Sequence, residues 1–173
     1  LDEWVGLGRE DAGSCRKVMA ENFYEPAGIP SENIETFDGK SDPESECQRL
    51  GRWIKEHNGI GLTLLGVGMN GHVGFNEPGI RIAETCGIVE LDDITLSVGR
   101  KYFDQKEVPR TGITVNLQTL KSARKIILML SGDKKSAILK KMLSKDTTTD
   151  IPAAKLLDHP DIELCYDEKA LVK

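Results

Sequence analysis

Residues 60–79 read IGLTLLGVGMNGHVGFNEPG, and this stretch decides how the rest of the sequence is interpreted. Ile60 to Gly66 is an apolar run, which is typical of a parallel strand covered on both faces. Glycines follow at positions 66, 68 and 71, where a backbone without side chains can turn tightly and approach a ligand closely. The stretch therefore predicts a buried strand that ends in a loop able to hold a small molecule.

The segments around this strand alternate between helical and extended patterns. Predicted helices cover 14–24, 44–56 and 134–143, and further predicted strands cover 113–115, 125–130 and 162–165. Such an alternation predicts a three-layer α/β/α, Rossmann-like fold with an open, mostly parallel sheet. In folds of this kind the site lies in the loops that follow the carboxyl ends of the strands.

Composition limits the class of protein. The chain has 173 residues, a net charge of −5 and 29% charged residues, which indicates one globular domain over residues 1–173. An acidic chain without a basic stripe argues against nucleic acid as a partner, and no apolar run is long enough to cross a membrane. Four scattered cysteines without CxxC spacing favour the cytoplasm and argue against a zinc site. The oligomeric state stays open, a homo-oligomer included.

His72 and Glu77 are the titratable groups of the glycine-rich loop. Imidazole can act as acid and base near neutral pH, and a carboxylate can orient it. The glycines also match the dinucleotide pattern Gly66-x-Gly68-x-x-Gly71, but that match is discounted. Pro78 blocks a helix running on from the third glycine, so no helix N-terminus is available for a phosphate.

Residues 64–79 resemble the glucosamine-6-phosphate/galactosamine-6-phosphate deaminase/isomerase family, whose loop reads close to G-x-G-x-[DN]-G-H-[IV]-[AG]-F-N-E-P. The opening residues 1–7, LDEWVGL, are similar to the family's "DE-aromatic-V-G-L" element. Further family-like segments occur downstream: Lys101 to Asp104, Val108-Pro109, Gly112 to Thr114 and Ile151 to His159. The resemblance covers nearly the whole chain and implies a sheet of the phosphosugar isomerase type.

The resemblance implies a deamination that converts an amino-sugar phosphate to a ketose phosphate and ammonia, without metal or organic cofactor. Asp2 matches the family's enolising base, His72 the residue that assists ring opening, and Glu77 its partner. Asn70 stands where many members carry Asp. Its amide oxygen can accept an imidazole N–H but carries no charge, so His72 is expected to rely more heavily on Glu77.

A phosphorylated amino sugar is the partner that the resemblance implies. Lys135 and Lys101 fall where the family places downstream phosphate contacts, and Gly68 and Gly71 are expected to let the backbone approach the substrate. The family's serine- and glycine-rich phosphate loop has no match here. Leu1 is therefore not expected to be the natural start, and the N-terminal strands of the domain are expected to be missing.

Three alternatives remain open. Residues 2–5 and 151–153 look more like the galactosamine-6-phosphate branch, and the substrate epimer stays undecided. A 6-phosphogluconolactonase-like hydrolase shares the scaffold, but its loop typically reads "GHTASLFPG" where this chain has Phe75 to Pro78. A non-catalytic sugar-phosphate sensor is argued against by Asp2, His72 and Glu77 together. Glu3, next to the expected base, is interpreted as an exposed neighbour.

Overall fold

The computed structural model describes residues 1–103, 107–144 and 150–171; Asp104, in one of the family-like segments, lies outside them. The strands are β1 (Asp2–Trp4), β2 (Leu62–Gly66), β3 (Cys86–Glu90), β4 (Thr111–Val115), β5 (Lys125–Leu130) and β6 (Ile162–Tyr166). The α-helices are α1 (Cys15–Met19), α2 (Pro43–Glu56), α3 (Asp93–Gly99), α4 (Leu117–Lys121), α5 (Ser136–Leu143) and α6 (Glu168–Leu171). Short 3-10 turns cover Ser31–Asn33, Arg100–Tyr102, Asp133–Lys135 and Ala153–Leu156. None of the helices in these ranges is long and apolar enough to cross a membrane.

The described strands form two three-stranded sheets. Strands β2, β5 and β6 run parallel in the order β2-β5-β6, with Leu64 beside Ile127 and Leu128 beside Leu164. Strands β1, β4 and β3 are antiparallel in the order β1-β4-β3. The predicted α/β class with a parallel sheet is confirmed. The antiparallel sheet was not predicted. Strand β1 is only three residues long and contains two acidic residues, so its sequence shows no recognisable strand pattern.

Strand β2 is covered on one face only, so the prediction of a strand buried on both faces is wrong. Thr63 and Leu65 are 5% and 1% exposed, whereas Leu62 and Leu64 are 53% and 56% exposed. Side chains alternate across a strand, so the two pairs lie on opposite faces of the sheet. Met129 of β5 shares the outer face and is 43% exposed. The described part of the chain leaves this face open, and an apolar run alone does not reveal that.

One hydrophobic core joins the two sheets. Leu65 and Ile126 from the parallel sheet and Ile113 from the antiparallel sheet belong to the same buried cluster. A smaller cluster lies at β1, where the ring of Trp4 contacts Phe75 edge-on at a centroid distance of 4.9 Å. This contact ties the loop after β2 to β1, which brings the first residues of the chain next to the glycine-rich stretch.

The predicted helices exist, with altered bounds. Helix α2 begins where Asp42 accepts a hydrogen bond from Ser45 N at 2.9 Å, and it ends as expected before Asn58, whose φ is 60°. The helix predicted over 14–24 is α-helical only over Cys15–Met19 and continues as a π-helical turn over Ala20–Tyr24. Its apolar face does not enter the core, since Phe23 is 51% exposed.

Candidate active site

A cavity of about 410 Å³ lies at the carboxyl end of β2, where parallel strands commonly place a ligand. Its walls come from β1, the start of α1, the glycine-rich loop and α3 with the turn that follows it. Six of the eight site residues predicted from the sequence are placed at or directly behind this cavity. Five of them line it: Asp2, Gly68, His72, Lys101 and Lys135.

The glycine-rich loop folds back on itself. Gly68 N donates to His72 O at 2.9 Å, and Gly71 N donates to Gly68 O at 3.0 Å. A Cβ at position 68 would lie 2.5 Å from His72 Nε2, so glycine lets the imidazole rest directly on the backbone. Gly71 has φ 86° and packs against Ile151, and it is not among the residues that line the cavity. Substrate contact by these two glycines stays a prediction.

His72 is held at one ring nitrogen. Its Nδ1 lies 2.8 Å from Thr95 Oγ1 on α3 and 3.4 Å from Glu77 Oε2. The side chain is 19% exposed and lines the cavity. The sequence predicts the pairing with Glu77, and the two groups do lie side by side. Thr95 was not predicted, because a threonine 23 residues further along the chain carries no local signal.

Asn70 contacts the pair differently from the expectation. Its Oδ1 accepts a hydrogen bond from the backbone N of His72 at 3.2 Å rather than from the imidazole. Its Nδ2 donates to Glu77 Oε2 at 2.7 Å. The expected contact between the amide oxygen and the ring is therefore wrong, because that oxygen accepts from the backbone of His72. Asn70 orients Glu77, and through Glu77 it acts on the imidazole.

Glu77 is 2% exposed and lies behind His72. Burial opposes ionisation of its carboxyl, but hydrogen bonds from His72, Thr95 and Asn70 outweigh that cost and hold its pKa below the usual range. Its Oε1 is buried without a hydrogen-bond partner within the described ranges. An ionised carboxylate beside Nδ1 stabilises the protonated imidazole. A histidine that accepts a proton and later donates it must pass through that protonated form.

Asp2 faces the same cavity from β1. Desolvation raises the pKa of its carboxyl, and the positive charges of the Leu1 amino group and His72 only partly offset that rise. A raised pKa makes a carboxylate a better proton acceptor near neutral pH. Asp2 and His72 thus place a base and an acid–base group on two walls of one small cavity.

Two lysines supply positive charge to the cavity. Lys135, in the turn before α5, donates through Nζ to the carbonyl oxygen of Val67. Lys101 Nζ lies 4.6 Å from the centroid of the Tyr102 ring. Burial lowers the pKa of Lys135, and the charge of Lys101 lowers it further. Two cations close enough to repel each other are suited to share an anion such as a phosphate.

Glu3 is buried, so its interpretation as an exposed neighbour is wrong. It is 1% exposed, and its Oε1 accepts from Trp4 N at 2.8 Å and Cys15 N at 3.0 Å. Its Oε2 accepts from Ser14 Oγ at 2.7 Å and Arg16 N at 3.0 Å. The carboxylate thus caps the start of α1 and fastens it to β1. Strand alternation around Asp2 would have placed Glu3 on the opposite face.

Replacing Glu3 with Gln is expected to lower the free energy of unfolding by about 1–3 kcal/mol. The new amide NH2 group cannot accept the hydrogen bonds that Ser14 Oγ and Arg16 N donate to Oε2. Urea denaturation monitored by tryptophan fluorescence measures the change. Glu10→Gln is the matched control, since the Glu10 side chain is 85% exposed. Equal stability of the two variants would show that the carboxylate does not hold α1.

The fold and the cavity define a class of protein: an α/β protein whose parallel strand ends at groups suited to move protons on a small anionic molecule. A family model described as "Glucosamine-6-phosphate isomerases/6-phosphogluconolactonase" matches residues 7–164. The chain belongs to this family.

Curated relatives support the same assignment. A glucosamine-6-phosphate deaminase of Geobacillus sp. (strain WCH70) is 37% identical over 173 residues, which cover 99% of this chain and 69% of the relative. A protein of the same name from Lysinibacillus sphaericus (strain C3-41) is 39% identical over 168 residues, covering 96% of this chain and 71% of the relative.

Solved structures show the same architecture. The structure of a monomeric glucosamine-6-phosphate deaminase superposes with a TM-score of 0.92 at 31% identity, covering 99% of this chain and 73% of that one. A 6-phosphogluconolactonase from Thermotoga maritima reaches a TM-score of 0.73 at 21% identity, over 95% of this chain and 69% of that one. The second likeness extends to the fold alone.

Proposed function

We propose that the chain converts a hexosamine 6-phosphate to the ketose 6-phosphate with release of ammonia. Glucosamine 6-phosphate is the first candidate for the substrate. One observation carries the proposal: Asp2, His72 and two lysines line the same cavity, with Glu77 directly behind the histidine. The names of the curated relatives and of the 31% identical structure support it.

The first step is ring opening, which the imidazole suits. His72 Nε2 lies on the side of the ring away from Thr95 and Glu77 and rests on Gly68, which lines the cavity. During ring opening the C1 hydroxyl loses a proton and the ring oxygen gains one. A single group that accepts and then donates a proton can carry out both transfers. Glu77 balances the charge while His72 carries the extra proton.

The second step moves hydrogen between carbons. Asp2 removes the proton from C2 of the open sugar, and the C2–H electron pair forms the C1–C2 double bond. The aldehyde oxygen at C1 takes a proton from the substrate ammonium group, which gives an enolamine with a neutral amino group. Return of a proton to C1 gives a C1 alcohol and a C2 iminium ion. Water adds to C2 and ammonia leaves, so one water is consumed for each ammonia formed. A carboxylate with a raised pKa is suited both to take the proton and to give it back.

The phosphate is placed by charge. Lys101 and Lys135 line the same cavity as Asp2, and a dianionic phosphate between them removes their mutual repulsion. Binding energy from this remote group fixes C1 and C2 against the acid–base residues. No step of this scheme requires a metal or organic cofactor. A cytoplasmic location and a homo-oligomer stay predictions.

The test measures ammonia release from glucosamine 6-phosphate and from galactosamine 6-phosphate, and hydrolysis of 6-phosphogluconolactone. We expect ammonia and ketose 6-phosphate in equal amounts from glucosamine 6-phosphate. Preference for the galacto epimer would support the branch that residues 2–5 and 151–153 favour. Hydrolysis of the lactone without ammonia release would replace the proposal with the hydrolase, and binding of phosphosugars without turnover would replace it with the sensor.

A further inference from the structure

We propose that Thr95 is a positioning residue that sets the tautomer of His72 by bridging its Nδ1 to the Glu77 carboxylate. The effect on turnover rests on the proposed function, whereas the effect on the tautomer does not. Thr95 lies on α3, opposite the glycine-rich loop, and it is 5% exposed. Its hydroxyl thus reaches His72 from outside the glycine-rich loop that carries the histidine.

The distances single out Thr95 as the direct partner of the ring. Thr95 Oγ1 lies 2.8 Å from Nδ1, within the normal range of a hydrogen bond. Glu77 Oε2 lies at 3.4 Å from the same nitrogen, which is long for a strong hydrogen bond. The hydroxyl also helps to stabilise the charge of Glu77 and so to lower the pKa of that carboxyl. Thr95 thus contacts both members of the pair.

A hydroxyl has one proton to donate, and that limits the arrangement. Because Glu77 is ionised and can only accept, the hydroxyl donates to the carboxylate and accepts from Nδ1–H. Nδ1 then carries the proton of the neutral ring, and Nε2 is left as the free base on the cavity side. The opposite arrangement would turn the Nδ1 lone pair toward an anion, which is unfavourable in a buried site.

The backbone holds Thr95 in place for this role. Asp92 caps α3 by accepting a hydrogen bond from Ile94 N at 2.7 Å, and Leu96 N donates to Asp92 O at 2.9 Å. Threonine in a helix has a restricted choice of χ1 rotamers, so few side-chain states compete with the one that contacts His72. The same helix leads directly to Lys101, so one wall of the cavity supplies both the ring partner and a cation.

The test combines nitrogen NMR of the imidazole with steady-state kinetics for Thr95→Val and Thr95→Ser. His72 is assigned by the loss of its signals in His72→Gln. In the neutral ring of the unaltered chain we expect a protonated Nδ1 and an unprotonated Nε2. Val keeps the shape and removes the hydroxyl, so both nitrogens should shift toward a mixture of tautomers. Ser restores the hydroxyl and should restore the original pattern.

For turnover, Thr95→Val is expected to lower kcat by about 10- to 100-fold with KM changed much less. A loss of that size follows removal of the hydrogen-bond partner of a metal-binding histidine. The pH profile of kcat should shift with it, and Ser should recover most of the rate. Thr63→Val is the matched control, because Thr63 is equally buried at 5% and its hydroxyl donates to the backbone oxygen of Leu120 in α4.

Two results would overturn the proposal: an unchanged imidazole spectrum in Thr95→Val, or equal spectral changes in Thr95→Ser and Thr95→Val. The second result would mean that packing, and not the hydroxyl, holds the ring. If the unaltered chain releases no ammonia, the proposed function fails while the spectra still decide the role of Thr95.

Discussion

Replacing Asp2 with Asn is expected to lower kcat for ammonia release by about 10²- to 10⁴-fold, the range that a positioned general base contributes. Asn keeps the size of the side chain and cannot accept the C2 proton. KM should change little, because the lysines hold the phosphate and are unaltered. Steady-state kinetics with glucosamine 6-phosphate measures both parameters.

The pH profile sharpens this expectation. Desolvation raises the pKa of Asp2. As the solution becomes acidic, Asp2 is therefore protonated, and lost as a base, at a higher pH than an ordinary aspartate. The acid limb of kcat/KM should therefore lie above the usual aspartate value of about 3.9. Asp161→Asn, at a side chain 59% exposed, is the matched control and should match the unaltered chain. Near-normal kcat in Asp2→Asn would remove Asp2 from the chemistry.

Replacing Lys135 with Met is expected to raise KM by about 10- to 100-fold, because a hydrogen bond to a charged group contributes about 1.5–3 kcal/mol. Inhibition by inorganic phosphate should weaken by a similar factor, which tests the anion contact without turnover. Lys134→Met is the matched control, since Lys134 is the exposed neighbour in the same turn. An unchanged phosphate inhibition constant in Lys135→Met would place the phosphate elsewhere.

The charge of Lys135 also predicts a pH dependence. Burial and then Lys101 lower its pKa, so the ammonium is present at low pH and is lost as the pH rises through that lowered value. KM should therefore begin to rise at a pH below the ordinary lysine value of about 10.4. This rise should be absent in Lys135→Met, where no titrating group remains at that position.

Local patterns in the sequence were enough to predict the helices and strands that are long and periodic. Strand β5 over Lys125–Leu130 has the predicted bounds, and α2 begins and ends within a residue of the prediction. The loop after β2 was also identified, because its glycines, His72 and Glu77 lie within twelve residues of each other. Such features depend on neighbours along the chain, which the sequence displays directly.

Features that depend on contacts between distant segments were missed or misjudged. Thr95 reaches His72 from another helix, and Glu3 receives its hydrogen bonds from α1. The exposure of Leu62 and Leu64 depends on what covers the sheet rather than on their own hydrophobicity. The direction of the Asn70 amide was settled by the loop backbone, which an amino-acid type does not specify.

The account depends on one arrangement: sugar carbons C1 and C2 between Asp2 and His72, with the phosphate on Lys101 and Lys135. The most direct measurement is a crystal structure of the chain with a hexosamine 6-phosphate reduced at C1, which can neither close its ring nor react. The account predicts C2 within about 3.5 Å of an Asp2 carboxylate oxygen, the near-attack distance of reacting groups. A phosphate bound away from both lysines, or C1 and C2 out of reach of Asp2 and His72, would contradict it.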